Sequence, residues 1–207
     1  MVMSRTLEHW VRLPERAAPL DFIAPLLLRL YLAPIMWMAG VSKLNAFEST
    51  VEWFGNSDWG LGLPFPTLLA GLATWTEILG GVALLLGLAV RWVSVPLMAT
   101  MLVAALSVHL KNGWQAIADP VMCLFNCSDA LAAVERLDRA RSILKSHGDY
   151  AWLTEQGSFA VINNGVEFAA TYFVMLLVLF FIGAGTYFSL DYWIARALGR
   201  GSATDSS

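Results

Sequence analysis

Charge is scarce in this sequence: Asp, Glu, Lys and Arg supply 14% of the 207 residues, where a soluble domain carries about 25%. The deficit falls in long blocks rather than being spread evenly, which excludes an ordinary water-soluble surface over most of the chain. The formal net charge is −3, so there is no basic excess with which to bind nucleic acid. Cysteine is limited to Cys123 and Cys127, too few for a zinc or iron–sulfur framework. Flavin and nicotinamide fingerprints and a haem-attachment motif are all missing. Residues 1–21 contain Arg5, Glu8, Arg12, Glu15 and Arg16 without an apolar run. They read as a tail before a retained span and not as a cleaved signal peptide.

What is there is hydrophobic. Such residues make up 57% of the chain, and the mean hydropathy is +0.61. A hydrocarbon core of about 30 Å is crossed by roughly 20 apolar residues in a helix. Four blocks meet that length, at about 22–42, 65–90, 93–110 and 165–187. The expected fold class is all-α, a four-helix transmembrane bundle over residues 22–190, with cytoplasmic tails at 1–21 and 191–207. Pro66 suits the first turn of the second helix, where a missing N–H costs little. Arg91 and Trp92 form a connection too short to hold any domain.

The long connection between spans three and four, about 114–163, is expected to be extracytoplasmic. It contains a short amphipathic helix with Ser128 as cap and Gly148 as terminator. Leu131, Val134, Leu137, Ile143 and Leu144 make its apolar stripe, and Glu135, Arg136, Asp138, Arg139 and Arg141 its wet face. Lys and Arg close to span ends put the N-tail, Arg91 and the C-tail on one side, which predicts that both termini are cytoplasmic.

Charged side chains inside a span are the first functional candidates, because each costs about 2.5–3.5 kcal/mol on insertion scales. Arg29 and Glu77 fall at depths of about 10 Å and about 13 Å from the same side. This predicts an intramembrane polar cluster, either a structural ion pair or a proton or substrate site. Lys43, His109 and Glu167 fall at the outer ends of their spans and define a candidate outward-facing polar pocket. Each has a structural alternative: snorkelling for Lys43, the helix macrodipole for His109, and a capping box with Asn164 for Glu167. Cys123 and Cys127 are candidates for a disulfide, for a soft-metal site that takes Cu(I), or for two buried residues with no shared role. No catalytic residue is assigned.

Several patterns in order resemble the DoxX family of small four-helix bacterial membrane proteins. They are Gly40-Val41-Ser42-Lys43-Leu44, Glu77-Ile78-Leu79-Gly80-Gly81 running on to Gly87, His109, and Gly183 through Asp191. The insertion, through Ala133–Arg141, Trp152–Gly157 and Asn163–Glu167, is similar to the HvfX-type branch. That resemblance implies a bacterial inner-membrane accessory that supports maturation or handling of a copper-binding, thiol-containing peptide. Its partners would be the lipid bilayer and a peptide-modifying enzyme complex or its product. Two alternatives stand beside it. One is a quinone-linked membrane oxidoreductase subunit, since some DoxX relatives serve thiosulfate:quinone oxidoreductase; the other is a structural anchor for a soluble enzyme. Quinone and copper are the candidate cofactors.

Overall fold

A computed structural model describes residues 18–119, 124–125 and 127–199. Among them the regular secondary structure is helical, apart from one isolated antiparallel bridge between Ile117 and Ile162. The helices are α1 (Ile23–Asn45), α2 (Phe47–Gly55), α3 (Pro66–Leu86), α4 (Val90–Ala104), α5 (Cys127–His147), α6 (Tyr150–Leu153), α7 (Glu167–Ile182) and α8 (Leu190–Ala197). Short π and 3-10 turns prolong α4 to Asn112. Three stretches are long and apolar enough to cross a membrane: Ile23–Asn45, Pro66–Leu86 and Val90–Asn112. The expected fourth span shortens to α7, an apolar helix of 16 residues with a rise of about 24 Å. It stops at Gly183 (φ +82°), followed by Gly185 (φ +79°), conformations that an L side chain resists.

The chain divides into two compact units, Met1–Leu97 with Met175–Ser207, and Met98–Val174. In the first, α1 and α3 run antiparallel in close contact. Glycine permits the approach. A Cβ on Gly81 would stand 2.8 Å from the Trp37 N and 2.9 Å from the Ala33 O, and one on Gly40 would stand 2.8 Å from the Ile78 N. In lipid, such small-residue contacts replace the hydrophobic drive that water provides. Leu32, Ala33, Met36, Ala70, Ile78 and Leu84 fill this interface and are buried. Because the obstructing atoms at Gly81 are backbone, Gly81→Leu must push the helices apart. The expected result is a loss of at least about 1–3 kcal/mol, the usual range for overpacking, read as a lower melting temperature in detergent.

Helix boundaries in this unit move from their expected positions for identifiable reasons. Span two, expected to reach residue 90, stops at Leu86 because Gly87 takes a left-handed conformation (φ +65°). The Gly87 N–H then donates to the Leu84 carbonyl, and the Leu88 N–H to that of Ala83, the paired bonds of a Schellman end. Span three begins at Val90 rather than Val93, because the Asp191 carboxylate accepts from the Ala89 N–H (2.6 Å) and the Val90 N–H (3.0 Å). The stretch expected to be a tail after residue 190 opens with α8, where the Ser189 hydroxyl caps the Tyr192 N–H.

The second unit is tied together by its loop backbone. Val166 and Glu167 donate their N–H groups to Gly113 and Trp114, and Gly165 donates to Gln115. The Asn163 side-chain amide donates to the carbonyls of Asn112 (2.6 Å) and Gln115 (3.0 Å). The amphipathic helix forms as expected and ends before Gly148, although it begins at Cys127, so Ser128 lies inside it. Arg141 leaves its wet face to donate to the Phe159 carbonyl at 2.6 Å.

Candidate functional site

Arg29 and Glu77 do not pair, which corrects the expected cluster. Arg29 is 1% exposed and spends its guanidinium on carbonyls. Nε donates to Leu84 (2.8 Å), Nη1 to Ala184 (2.6 Å), and Nη2 to Leu85 (3.2 Å) and Phe188 (3.0 Å). Two of these acceptors lie in the last turn of α3, where carbonyls lack the usual helical partner four residues on and the macrodipole is negative; Leu84 also accepts from the Gly87 N–H of the Schellman end. The other two flank the turn after α7. Arginine suits the task because its planar head directs five donors in fixed directions. Gly87 is equally constrained: a Cβ there would lie 2.6 Å from the Arg29 Cζ. The result is a knot of α1, the α3–α4 turn and the start of α8, which Asp191 closes by donating its N–H to the Gly87 carbonyl at 3.0 Å.

Glu77 pairs instead with Lys43, Nζ to Oε2 at 2.5 Å. The Glu77 side chain is 5% exposed and that of Lys43 28%. The antiparallel register explains the exchange of partners. Gly40 lies against Thr74 and Ile78, so Lys43, one turn further along α1, reaches back to Glu77 on its flexible four-carbon stem. Arg29 meets α3 at Leu84 and Leu85, two turns from Glu77, or about 11 Å of rise. Equating the depths of two helices from their apolar ends misses this offset. Around the pair, Thr74 is buried with its hydroxyl bonded to the Ala70 carbonyl at 2.7 Å. The Thr50 hydroxyl of α2 reaches the Ala46 carbonyl at 2.9 Å.

Chemically the pair combines a nearly fully buried carboxylate with an ammonium that is partly exposed. The Lys43 ammonium can give a proton to Glu77 across one short hydrogen bond, and the neutral amine left behind can then take up another.

His109 and Glu167, the other members of the expected outer pocket, belong to the second unit. His109 Nδ1 lies 2.9 Å from the Asn164 carbonyl, which also accepts from the Asn112 amide at 3.0 Å. The expected capping box at Asn164 does not form. Asn164 has φ +59°, and the Glu167 carboxylate accepts from the Ala116 N–H at 3.0 Å, so both residues fasten the loop. Cys127 is disulfide-bonded, and Cys123 lies outside the described residues. Among those described, no three His, Cys, Asp or Glu side chains gather as a metal set.

Asp191, which the sequence shows only as the end of the Gly183–Asp191 pattern, is the further residue that organises this end of the unit. Its signal was the Ser189-Leu190-Asp191 run behind two glycines, a pattern suited to starting a helix.

The DoxX family model matches residues 24–110, a stretch that includes Arg29, Lys43, Glu77 and Gly81. A Bacillus subtilis (strain 168) protein named "Putative oxidoreductase CatD" is 36% identical over 97 residues, covering 47% of this chain and 68% of that protein. No solved structure matches. With its membrane-length helices and this relative, the chain is a membrane protein that belongs to the DoxX family.

Proposed function

We propose that the protein is the membrane component of an oxidoreductase, in which Lys43 and Glu77 handle the protons taken up when a membrane quinone is reduced. The observation that carries this reading is the ion pair itself. Arg29 has a complete structural explanation in the carbonyls it serves; Lys43–Glu77 does not. Two apolar side chains would hold α1 against α3 without the desolvation cost of two charges, and ionisable groups within spans mark proton or substrate paths. The name of the Bacillus relative supports the redox class. Reduction of a quinone to its quinol consumes two electrons and two protons. The chain carries no dinucleotide fingerprint, so the electrons come from a reduced partner protein, and this chain supplies protons and a lipid-embedded seat.

The test is quinone reduction by membranes that contain the chain and its native partners, against membranes from a deletion strain. Equal rates with a soluble quinone analogue would sink the proposal.

The copper-peptide reading and the HvfX-type assignment draw on the insertion and its thiols. While Cys127 is bridged it offers no thiolate to Cu(I), so the redox reading is the better supported. α7 serves as the fourth crossing in this scheme, with both termini in the cytoplasm of a bacterial inner membrane. A disulfide at Cys127 supports this orientation, because such bonds persist on the oxidising side. A membrane-impermeant maleimide is therefore expected to label intact spheroplasts only after treatment with a reductant. Labelling that requires membrane disruption would reverse the orientation.

A further inference from the structure

The short helix α8 divides its circumference three ways. Asp191, Tyr192 and Ala195 are half-buried, while Leu190, Trp193, Ile194 and Leu198 are exposed. At 3.6 residues per turn the exposed four fall within one arc of about 140°, and Arg196 lies outside it. The depth of α8 is set by Asp191, which bonds the backbone at Gly87, Ala89 and Val90. That turn joins two membrane-length helices, so α8 sits at the level where one leaves the hydrocarbon and the next enters it.

Other side chains at this level have the character of an interface. Trp92, Tyr187 and Phe188 are exposed, and aromatic rings of this kind collect at the headgroup boundary. The Trp193 ring is fixed by its Nε1–H donating to the Tyr187 carbonyl at 2.8 Å, and the Arg196 guanidinium lies 5.7 Å from its centre. Arg91, in the first turn of α4, is exposed with its guanidinium beside Gly183. Among the described residues neither arginine forms an ion pair. The carboxylate of Asp191 is engaged with two N–H groups.

We propose that α8 is an interfacial helix that seats this end of the protein on a leaflet containing anionic phospholipid. Its apolar arc enters the acyl boundary, while Arg91 and Arg196 hold lipid phosphates. A helix with an apolar face, a basic flank and an aromatic rim has this preference on general grounds, and each arginine near an anionic surface adds about fivefold to its attraction.

Two measurements test it. Native mass spectrometry of protein offered equal phosphatidylglycerol and phosphatidylcholine should show preferential retention of the former. In R91Q/R196Q the preference should fall to near parity with the melting temperature unchanged. Equal retention by the wild type, or an undiminished preference in the variant, overturns the headgroup role. For the apolar arc, a fluorophore on L198C in a C123S/C127S background, reconstituted in nanodiscs, should be quenched by shallow doxyl-labelled lipid and shielded from aqueous iodide. Free quenching by iodide overturns the interfacial placement.

Discussion

Arg29→Met is expected to lower the melting temperature in detergent by about 10 °C and to cut the yield of monodisperse protein. The substitution keeps an apolar stem of similar length while removing every donor from the knot. Leu84 retains a bond from the Gly87 N–H, but the carbonyls of Leu85, Ala184 and Phe188 lose the guanidinium that serves them. A buried acceptor left unpaired costs about 1–3 kcal/mol, so three of them give a loss of at least about 3 kcal/mol. For a chain of this size each kcal/mol moves the midpoint by about 2–4 °C. Arg29→Lys should recover only part of the loss, because an ammonium is a compact donor and cannot span four carbonyls on two segments. A midpoint within about 2 °C of the wild type for Arg29→Met would show that water or backbone rearrangement replaces the guanidinium.

The same knot marks how far the sequence could be read. The approximate places of the three membrane-length helices and of the shorter apolar α7 were legible because lipid imposes a length and a composition on each crossing, whereas α2, α6 and α8, short and less apolar, were not. The ends were not, because they were decided by contacts from remote parts of the chain. Val90 starts a helix owing to Asp191, 101 residues away. Arg29 was legible as a residue needing an explanation, yet its acceptors are main-chain oxygens, which leave no residue-type signature. Lys43 and Glu77 were both singled out but assigned to different clusters, since depth counted from apolar boundaries ignores the stagger set by Gly40 and Gly81. Glu167 followed a cap-like pattern to a different partner, because Asn164 adopts a left-handed backbone and the loop at Ala116 offers an unpaired N–H. In each case local chemistry named the residue, and tertiary register chose its partner.

Replacing Glu77 by Gln is expected to reduce quinone-linked turnover of the assembled complex by about 10²–10⁴-fold, the range for loss of a positioned proton-transfer group. Gln keeps the size and a hydrogen bond to Lys43 but cannot take up a proton. A change in activity could also come from instability, since removing one partner leaves the Lys43 charge facing a neutral group inside the span. The double variant K43M/E77L separates the two causes. Two apolar side chains of similar volume remove both charges together, and such exchanges are commonly neutral or stabilising. Its melting temperature should equal or exceed that of the wild type while turnover stays at the level of Glu77→Gln. If K43M/E77L instead restored turnover along with stability, the pair would be a structural link between α1 and α3, and proton handling would have to be assigned elsewhere. Lys43→Arg adds a further discrimination: it preserves the charge but raises the proton affinity of the outer group. A proton relay should therefore slow with little loss of stability, and a merely structural pair should show no change in turnover.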